Sequence, residues 1–128
     1  MSKIFLLVGI GGFTGAILRY GASGYIQQLA RSSDFSYGTV VVNVIGCFLI
    51  GFLSQLVESR GLLSADIRAM LIPGFLGGFT TFSTFSNETL NLFRDSESPL
   101  AFVNIAAHIV LGLGAVWLGR AAAFAIWR

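Results

Sequence analysis

Between Gly74 and Glu88 the chain reads GFLGGFTTFSTFSNE, with hydroxyl side chains set among aromatic rings in an otherwise apolar segment. Hydrocarbon tolerates such a stretch only where it is buried or lines a polar path. The segment is therefore read as the lining of something small and hydrophilic. Polar residues within apolar stretches are functional candidates, and here they are Arg19, Thr39, Asn43, Thr80, Thr81, Ser83, Thr84, Ser86, Asn87, Glu88, Asn104 and His108. The set is rich in neutral hydrogen-bond donors, and Glu88 is its one acid. A proton- or cation-coupled carrier would place a carboxylate near mid-span, so a path for an anion fits better. Asn43 can donate two hydrogen bonds from its amide; its plainer role would be an interhelical bond worth about 1 kcal/mol. Phe82 and Phe85, three residues apart, share one helical face. The electropositive rims of their rings can attract an anion, and Ser83 and Thr84 between them argue against a purely apolar role.

Other chemistries fit less well. Ser83, His108 and Glu88 could be drawn as a triad, but no nucleophile elbow or oxyanion loop accompanies them. Cys47 is the single cysteine, which excludes an intrachain disulfide and a multi-cysteine metal site. It reads as a small buried hydrophobe. One histidine cannot make a metal site, and His108 reads as a hydrogen-bonded packing residue. Arg19 keeps its charge at any working pH, so it either snorkels to an interface or sets a positive potential at an anion-accessible vestibule. Gly77, Gly78 and the threonines permit unwinding, and a bound cation is one way to satisfy unwound carbonyls. Gly9-Ile-Gly11 resembles a dinucleotide loop only superficially, because the third glycine and the preceding strand are missing.

These residues need an apolar frame. The chain has 128 residues, is 55% hydrophobic and 11% charged, and has a mean hydropathy of +0.80, whereas soluble domains carry about 25% charged residues. So short a chain cannot hide that much apolar surface in one core, so lipid is the expected solvent. The net charge of +2 is spread over single basic residues, and no basic run exists to follow a phosphate backbone.

Spans of about 20 residues are expected at Ile4–Leu29, Gly38–Val57, Ile67–Phe93 and Pro99–Ile126. The third is expected to be interrupted at Gly77–Thr80. Lys3 and the apolar run after it mimic a signal peptide, but the membranous remainder favours a retained first span. Trp117 and Trp127 are expected as interface anchors. Short loops favour antiparallel neighbours, so residues 1–128 form a single four-helix transmembrane domain in this reading. Gly11–Gly15 and Gly74–Gly78 are small-xxx-small pairs suited to close helix packing.

With four spans, Lys3, Arg60, Arg68, Arg120 and Arg128 share one side, and Arg19, Arg31 and Arg94 share the other. That near-tie under the positive-inside rule is what a chain inserting both ways would show. Four packed helices enclose little space. A polar path is therefore expected along a subunit interface, and a two-fold dimer is the commonest arrangement.

The run GGFTTFSTFSNE, with TVVVNVIG at Thr39–Gly46 and GGFTGAILRY at Gly11–Tyr20, resembles the Fluc (CrcB) fluoride channels over essentially the whole chain. The resemblance implies an all-α membrane protein with a broken third helix, assembled as an antiparallel, dual-topology homodimer. Each dimer would carry two pores along its interface and passively export fluoride from a microbial cytoplasm across the cell membrane, lowering fluoride toxicity. It further implies that Phe82 and Phe85 contact fluoride through their ring edges and that Asn43 lines the pore. Ser83 and Thr84 would belong to a polar track, Glu88 and His108 would lie further along it, and Thr39 and Arg19 fall on matching positions, Arg19 near where fluoride enters. A structural sodium ion would sit at the dimer centre on the carbonyls of Gly77 and Thr80 from both subunits. The chain departs from the pattern at Gly112, where many members have a serine one turn after the histidine. Some organisms encode two such proteins that pair, so a paralogue is an alternative partner. The runner-up reading is a small multidrug-type dual-topology transporter, which would want a carboxylate in the first span, where Ile4–Ala22 has none.

Overall fold

The computed structural model describes residues 2–31 and 34–127, and its described elements are all helical. In order they are α1 (Ser2–Ala30), α2 (Tyr37–Arg60), α3 (Ala65–Ala69), a π-helical turn (Met70–Leu76), α4 (Gly77–Phe79), α5 (Phe82–Arg94) and α6 (Ser98–Ile126). Three of them, α1, α2 and α6, are long and apolar enough to cross a membrane by length and composition. Their limits follow the expected spans closely. Ser32, Ser33 and Arg128, which the sequence places in a loop and in the charge tally, lie outside the described residues.

The region after α2 departs from expectation in two ways. Pro73 lies inside the π-helical turn. It has no N–H to return to the carbonyl of Ala69 and its ring crowds that carbonyl, and a wider turn relieves both problems. The expected interruption at Gly77–Thr80 is met only at its last residue and runs on to Thr81, because Gly77 is helical at φ −61°, ψ −35°. Extended backbone occurs at Thr80 (φ −94°, ψ 155°) and Thr81 (φ −149°, ψ 114°). β-Branched threonine favours extended backbone, whereas Gly77 and Gly78 stay helical, and only Gly78 is packed too closely on α1 to admit a Cβ.

That packing is direct. A Cβ on Gly11 would overlap the carbonyl oxygen of Met70, one on Gly15 that of Phe75, and one on Gly78 would crowd Gly12. The two small-residue pairs noted in the sequence thus face each other, and α1 runs parallel to the α3–α4 segment. Likewise α2 and α6 run parallel, since Asn43 meets His108, Gly51 meets Val116 and Glu58 meets Arg120. A Cβ on Gly51 would overlap Val116 O, and one on Gly119 would overlap Phe48 O. Gly114, by contrast, has nothing within 4 Å of such a Cβ. Gly51→Ala and Gly119→Ala are therefore expected to destabilise the protein by about 1–3 kcal/mol, while Gly114→Ala leaves it unchanged or firmer. Thermal unfolding in detergent checks the contrast.

One end of the molecule is tied by charge. Lys3 pairs with Asp66 at 2.7 Å, Arg120 grips Glu58 through both nitrogens (2.9 and 3.2 Å), and Arg60 Nε donates to the carbonyl of Trp127. The start of α1, the α2–α3 turn and the end of α6 therefore share one side, as an alternating chain requires. Exposed pairs of this kind are worth about 0–1 kcal/mol each, so they fix the arrangement more than they strengthen it. Trp127 packs edge-on against Phe52 at 5.7 Å. Trp117, Phe13, Leu113 and Phe124 point outward, an apolar surface that lipid would solvate.

Candidate functional site

The two extended residues between α4 and α5 are held by side chains from two other helices. Asn43 on α2 is buried, and its amide meets Thr81 twice: Oδ1 accepts from Thr81 N–H at 2.9 Å, and Nδ2 donates to Thr81 O at 3.2 Å. The side chain thereby supplies what a neighbouring strand would supply to an extended residue. Gly46, one turn along α2, leaves room for the methyl group of Thr80, which a Cβ there would overlap. On the other side, Arg19 Nε donates to Gly78 O at 2.9 Å. Thr80 bonds Leu76 O through both its N–H (3.0 Å) and its hydroxyl (2.9 Å).

Thr81 also starts α5. Its hydroxyl accepts from Thr84 N–H at 3.2 Å and donates to Thr84 Oγ1 at 3.1 Å, and it lies 3.2 Å from Ser83 Oγ. This is an ordinary threonine N-cap, and it gives Ser83 and Thr84 structural partners at the mouth of the break. Phe82 and Phe85 follow on one face with ring centroids 5.5 Å apart. Phe82 is 78% exposed, whereas Phe85 lies 4.2 Å from the His108 ring.

The polar contacts continue into α6. His108 Nε2 is 3.0 Å from Asn43 Nδ2, and His108 Nδ1 is 3.0 Å from Asn104 O. Asn104 is almost wholly buried and donates to Thr89 Oγ1 at 2.8 Å, while the Thr89 hydroxyl donates to Phe85 O at 2.7 Å. Thr39, one turn before Asn43, donates to Glu88 Oε1 at 2.7 Å. Glu88 Oε2 and Asn104 Oδ1 are buried without a hydrogen-bond partner.

Of the residues singled out from sequence, Asn43, Phe82, Phe85 and His108 come together along one open cleft of about 1020 Å³, which Gly77, Thr80 and Thr81 also line. Ser83 and Thr84 sit beside it, and the Thr39–Glu88 pair lies one α2 turn away. Arg19 is not among the cleft residues; its partner is Gly78 O, on the α1 side of the break. The drawn triad does not form: Ser83 bonds Thr81, Glu88 bonds Thr39, and His108 bonds Asn43 and Asn104. Sequence reasoning gave Thr81 and Asn104 no specific role, although they anchor both ends of the contacts around Asn43. The available signals were residue type and spacing: Thr81 is a threonine of the kind favoured at an N-cap, and Asn104 stands one turn before His108. At Gly112 an added Cβ would meet Cys47 Sγ at 3.5 Å, an ordinary contact, so a Cβ is accommodated there.

The break frees backbone carbonyls. Thr81 N–H, which a continuous helix would return to Gly77 O, goes to Asn43 instead. Thr84 N–H, which would return to Thr80 O, goes to the Thr81 hydroxyl. Gly77 and Thr80, whose carbonyls lose these helical donors, are both among the residues that border the cleft. Hard oxygen donors of this kind suit a hard cation.

Comparison with known proteins gives a consistent picture. Residues 6–120 match the family model described as CrcB-like protein, Camphor Resistance (CrcB). The chain is 44% identical over 118 residues to the Fluoride-specific ion channel FluC 1 of Methanosarcina acetivorans, covering 92% of this chain and 88% of that protein. It is 45% identical over 123 residues to the Fluoride-specific ion channel FluC of Opitutus terrae (94% and 92% covered). To that of Dehalococcoides mccartyi it is 46% identical over 114 residues (89% and 87% covered).

Proposed function

The chain belongs to the CrcB-like family, and from that premise we propose that it is a fluoride-selective channel through which fluoride leaves a microbial cytoplasm passively. The observation that carries this reading is the cleft beside the break, which Asn43, Thr80, Thr81, Phe82 and Phe85 line together and which has no acidic residue among its described lining. Fluoride is small and strongly hydrated, and removing its water costs roughly tens of kcal/mol in an apolar medium unless other donors replace it. Asn43 and the rims of Phe82 and Phe85 would supply that replacement, with Ser83 and Thr84 continuing the polar track, Thr39 and Glu88 extending it, and His108 lying beside it against Asn43. Both amide protons of Asn43 are already engaged, by Thr81 O and by His108. An arriving anion must therefore share one of them, so its binding at Asn43 is coupled to the geometry of the break. Arg19, beneath the break, would add positive potential on the approach.

In this reading α3 through α5 act together as an interrupted third span, and residues 1–128 form one transmembrane domain of the cell membrane. The working unit is an antiparallel homodimer, or a pair with a paralogue. The support is physical: the cleft is open, Phe82 is 78% exposed, and freed carbonyls beside lipid would each cost several kcal/mol. A second copy laid antiparallel across the cleft would cover all three features and turn each cleft into a pore. The near-even distribution of basic residues over the two sides agrees with insertion in both directions.

Gly77 and Thr80 would hold a structural sodium ion through their carbonyls, two from each copy, and the ion would supply the positive charge those oxygens lack. Exchange of sodium for N-methyl-D-glucamine is then expected to lower the unfolding temperature and the dimer fraction, by mass action on the folded assembly. Light scattering and thermal unfolding at varied sodium concentration test this without any transport assay.

The channel reading is tested by fluoride efflux from liposomes carrying the purified protein, with valinomycin to release the charge and chloride-loaded liposomes alongside. Rapid fluoride loss with chloride retained is expected. If the fluoride is retained and drug cations are taken up instead, the channel reading fails in favour of the multidrug-type transporter.

A further inference from the structure

We infer that His108 is a positioning residue: held as the neutral Nδ1–H tautomer between Asn104 and Asn43, it fixes the amide of Asn43 and through it the break. The inference rests on the channel reading for its functional consequence, but its geometry stands alone. At one end of the chain of contacts, Thr81 presents a backbone N–H, which can only donate, and a backbone carbonyl, which can only accept. Asn43 therefore must turn Oδ1 to the former and Nδ2 to the latter, at 2.9 and 3.2 Å. The amide orientation is thus set by backbone groups. Its remaining Nδ2 proton lies on His108 Nε2 at 3.0 Å, so Nε2 must be the accepting nitrogen.

At the other end, His108 Nδ1 faces the backbone carbonyl of Asn104 at 3.0 Å, which accepts only, so Nδ1 must carry the proton. The two ends demand the same tautomer independently. The imidazole then has no hydrogen-bonding capacity left for an anion, and its face packs on Phe85 at 4.2 Å. It acts through Asn43 and Phe85 rather than on the ion.

Protonation breaks this arrangement. A second proton at Nε2 would confront the Asn43 N–H, and turning the amide to accept it would set like groups against both Thr81 N–H and Thr81 O. Asn43 from α2 and Phe85 from α5 contact the ring and neither ionises, while Cys47, one turn along α2 from Asn43, borders the same cleft. The one acid in these contacts is Glu88, on α5, which Thr39 holds from α2. Arg19 lies across the break on Gly78 O. Conduction is therefore present while the ring is neutral and is lost as falling pH protonates it.

His108 is the only histidine in the chain, so ring-¹⁵N-histidine NMR of the protein in lipid reports it without assignment. The expected spectrum at pH 7.5 is a neutral ring protonated at Nδ1. Asn43→Leu should move the Nε2 resonance and leave Nδ1 in place. A ring protonated at Nε2, or a full imidazolium, overturns the proposal. In liposomes His108→Gln, whose Oε1 can accept the same Asn43 proton, should keep fluoride flux within about threefold, whereas His108→Phe, similar in shape but without an acceptor, should lose about tenfold or more. The acid decline should be present in the parent and absent in His108→Gln, which also serves to subtract any leak of undissociated HF. A His108→Phe variant that assembles and conducts like the parent removes the positioning role. Should that variant not assemble, a parallel acid decline in His108→Gln is the result that refutes it. If the parent carries no fluoride at all, the channel reading falls while the ring spectrum still decides the tautomer.

Discussion

Liposomes carrying Asn43→Asp are expected to hold their fluoride. The substitution changes one NH₂ to an oxygen and alters the shape of the side chain very little. Its effect comes from where the lost donors point. Thr81 O and His108 Nε2 both receive protons from Asn43 Nδ2, and a carboxylate would turn an acceptor on each. With the His108 ring neutral, two bonds become two repulsions around a buried side chain. A partner left unsatisfied costs about 1–3 kcal/mol, and more when charge is involved. The pair therefore opposes the present geometry by enough to reduce flux by roughly two orders of magnitude or more. The same charge also repels an approaching anion, so two causes act together.

They can be separated. Asn43→Leu removes the donors and adds no charge, so it reports the loss of anchoring alone. Flux in Asn43→Leu should fall less than in Asn43→Asp but remain well below the parent, and both should elute at the parent's oligomeric size. Parental fluoride flux in Asn43→Asp would remove this residue from the conducting path and from control of the break together.

Sequence reveals part of this arrangement and hides the rest. The apolar helices, their limits and the facing glycine pairs were legible, because periodic apolar length and small-xxx-small spacing are local signals. Gly11 and Gly15 do abut the backbone of residues 70–79, as the pattern suggested. The location of the break was less legible. Glycines draw attention as places where a helix can yield, but Gly77 and Gly78 stay helical, Gly78 pressed against α1, and the chain departs from helix at Thr80 and Thr81. The π-helical turn at Pro73 was likewise unforeseen, since proline alone does not say whether a helix will kink, stop or widen.

Least legible were the contacts that hold the site. Asn43 reaches Thr81 across 38 residues and Arg19 reaches Gly78 across 59. In both cases the receiving groups are backbone atoms, which have no letter of their own. Sequence could nominate Asn43 and Arg19 as unusual in an apolar setting. It could not reveal that both address the same interruption, one from each side. Gly78 O belongs to the last turn of α4 and Thr81 to the start of α5, so the two helix ends are fastened by different neighbours. A change at either fastening should therefore reach the rings of Phe82 and Phe85, which begin α5.

The second large effect is expected at Arg19, where charge and hydrogen bonding can be pulled apart. Its Nε donates to Gly78 O at 2.9 Å, satisfying a carbonyl that α4, ending at Phe79, leaves without a helical partner. A cation is also favoured at a helix C-terminus by the peptide dipoles. Against this stands the cost of keeping arginine among apolar helices, about 2.5–3.5 kcal/mol at a bilayer centre. Arg19→Met removes that cost but orphans the carbonyl, and a polar group unsatisfied in hydrocarbon costs several kcal/mol. Arg19→Met is thus expected to unfold at a distinctly lower temperature and to lose flux by about tenfold or more. Arg19→Gln places an amide nitrogen the same number of bonds from the backbone as Nε, so it can keep the bond to Gly78 O without the charge. Its unfolding temperature should stay close to the parent's. Flux then distinguishes the two roles: if fastening the break is what matters, Arg19→Gln conducts nearly as the parent does, and if positive potential on the approach matters too, its flux falls while its stability does not. Equal stability in Arg19→Met and the parent would show that Gly78 O needs no donor, and would remove Arg19 from the architecture of the break.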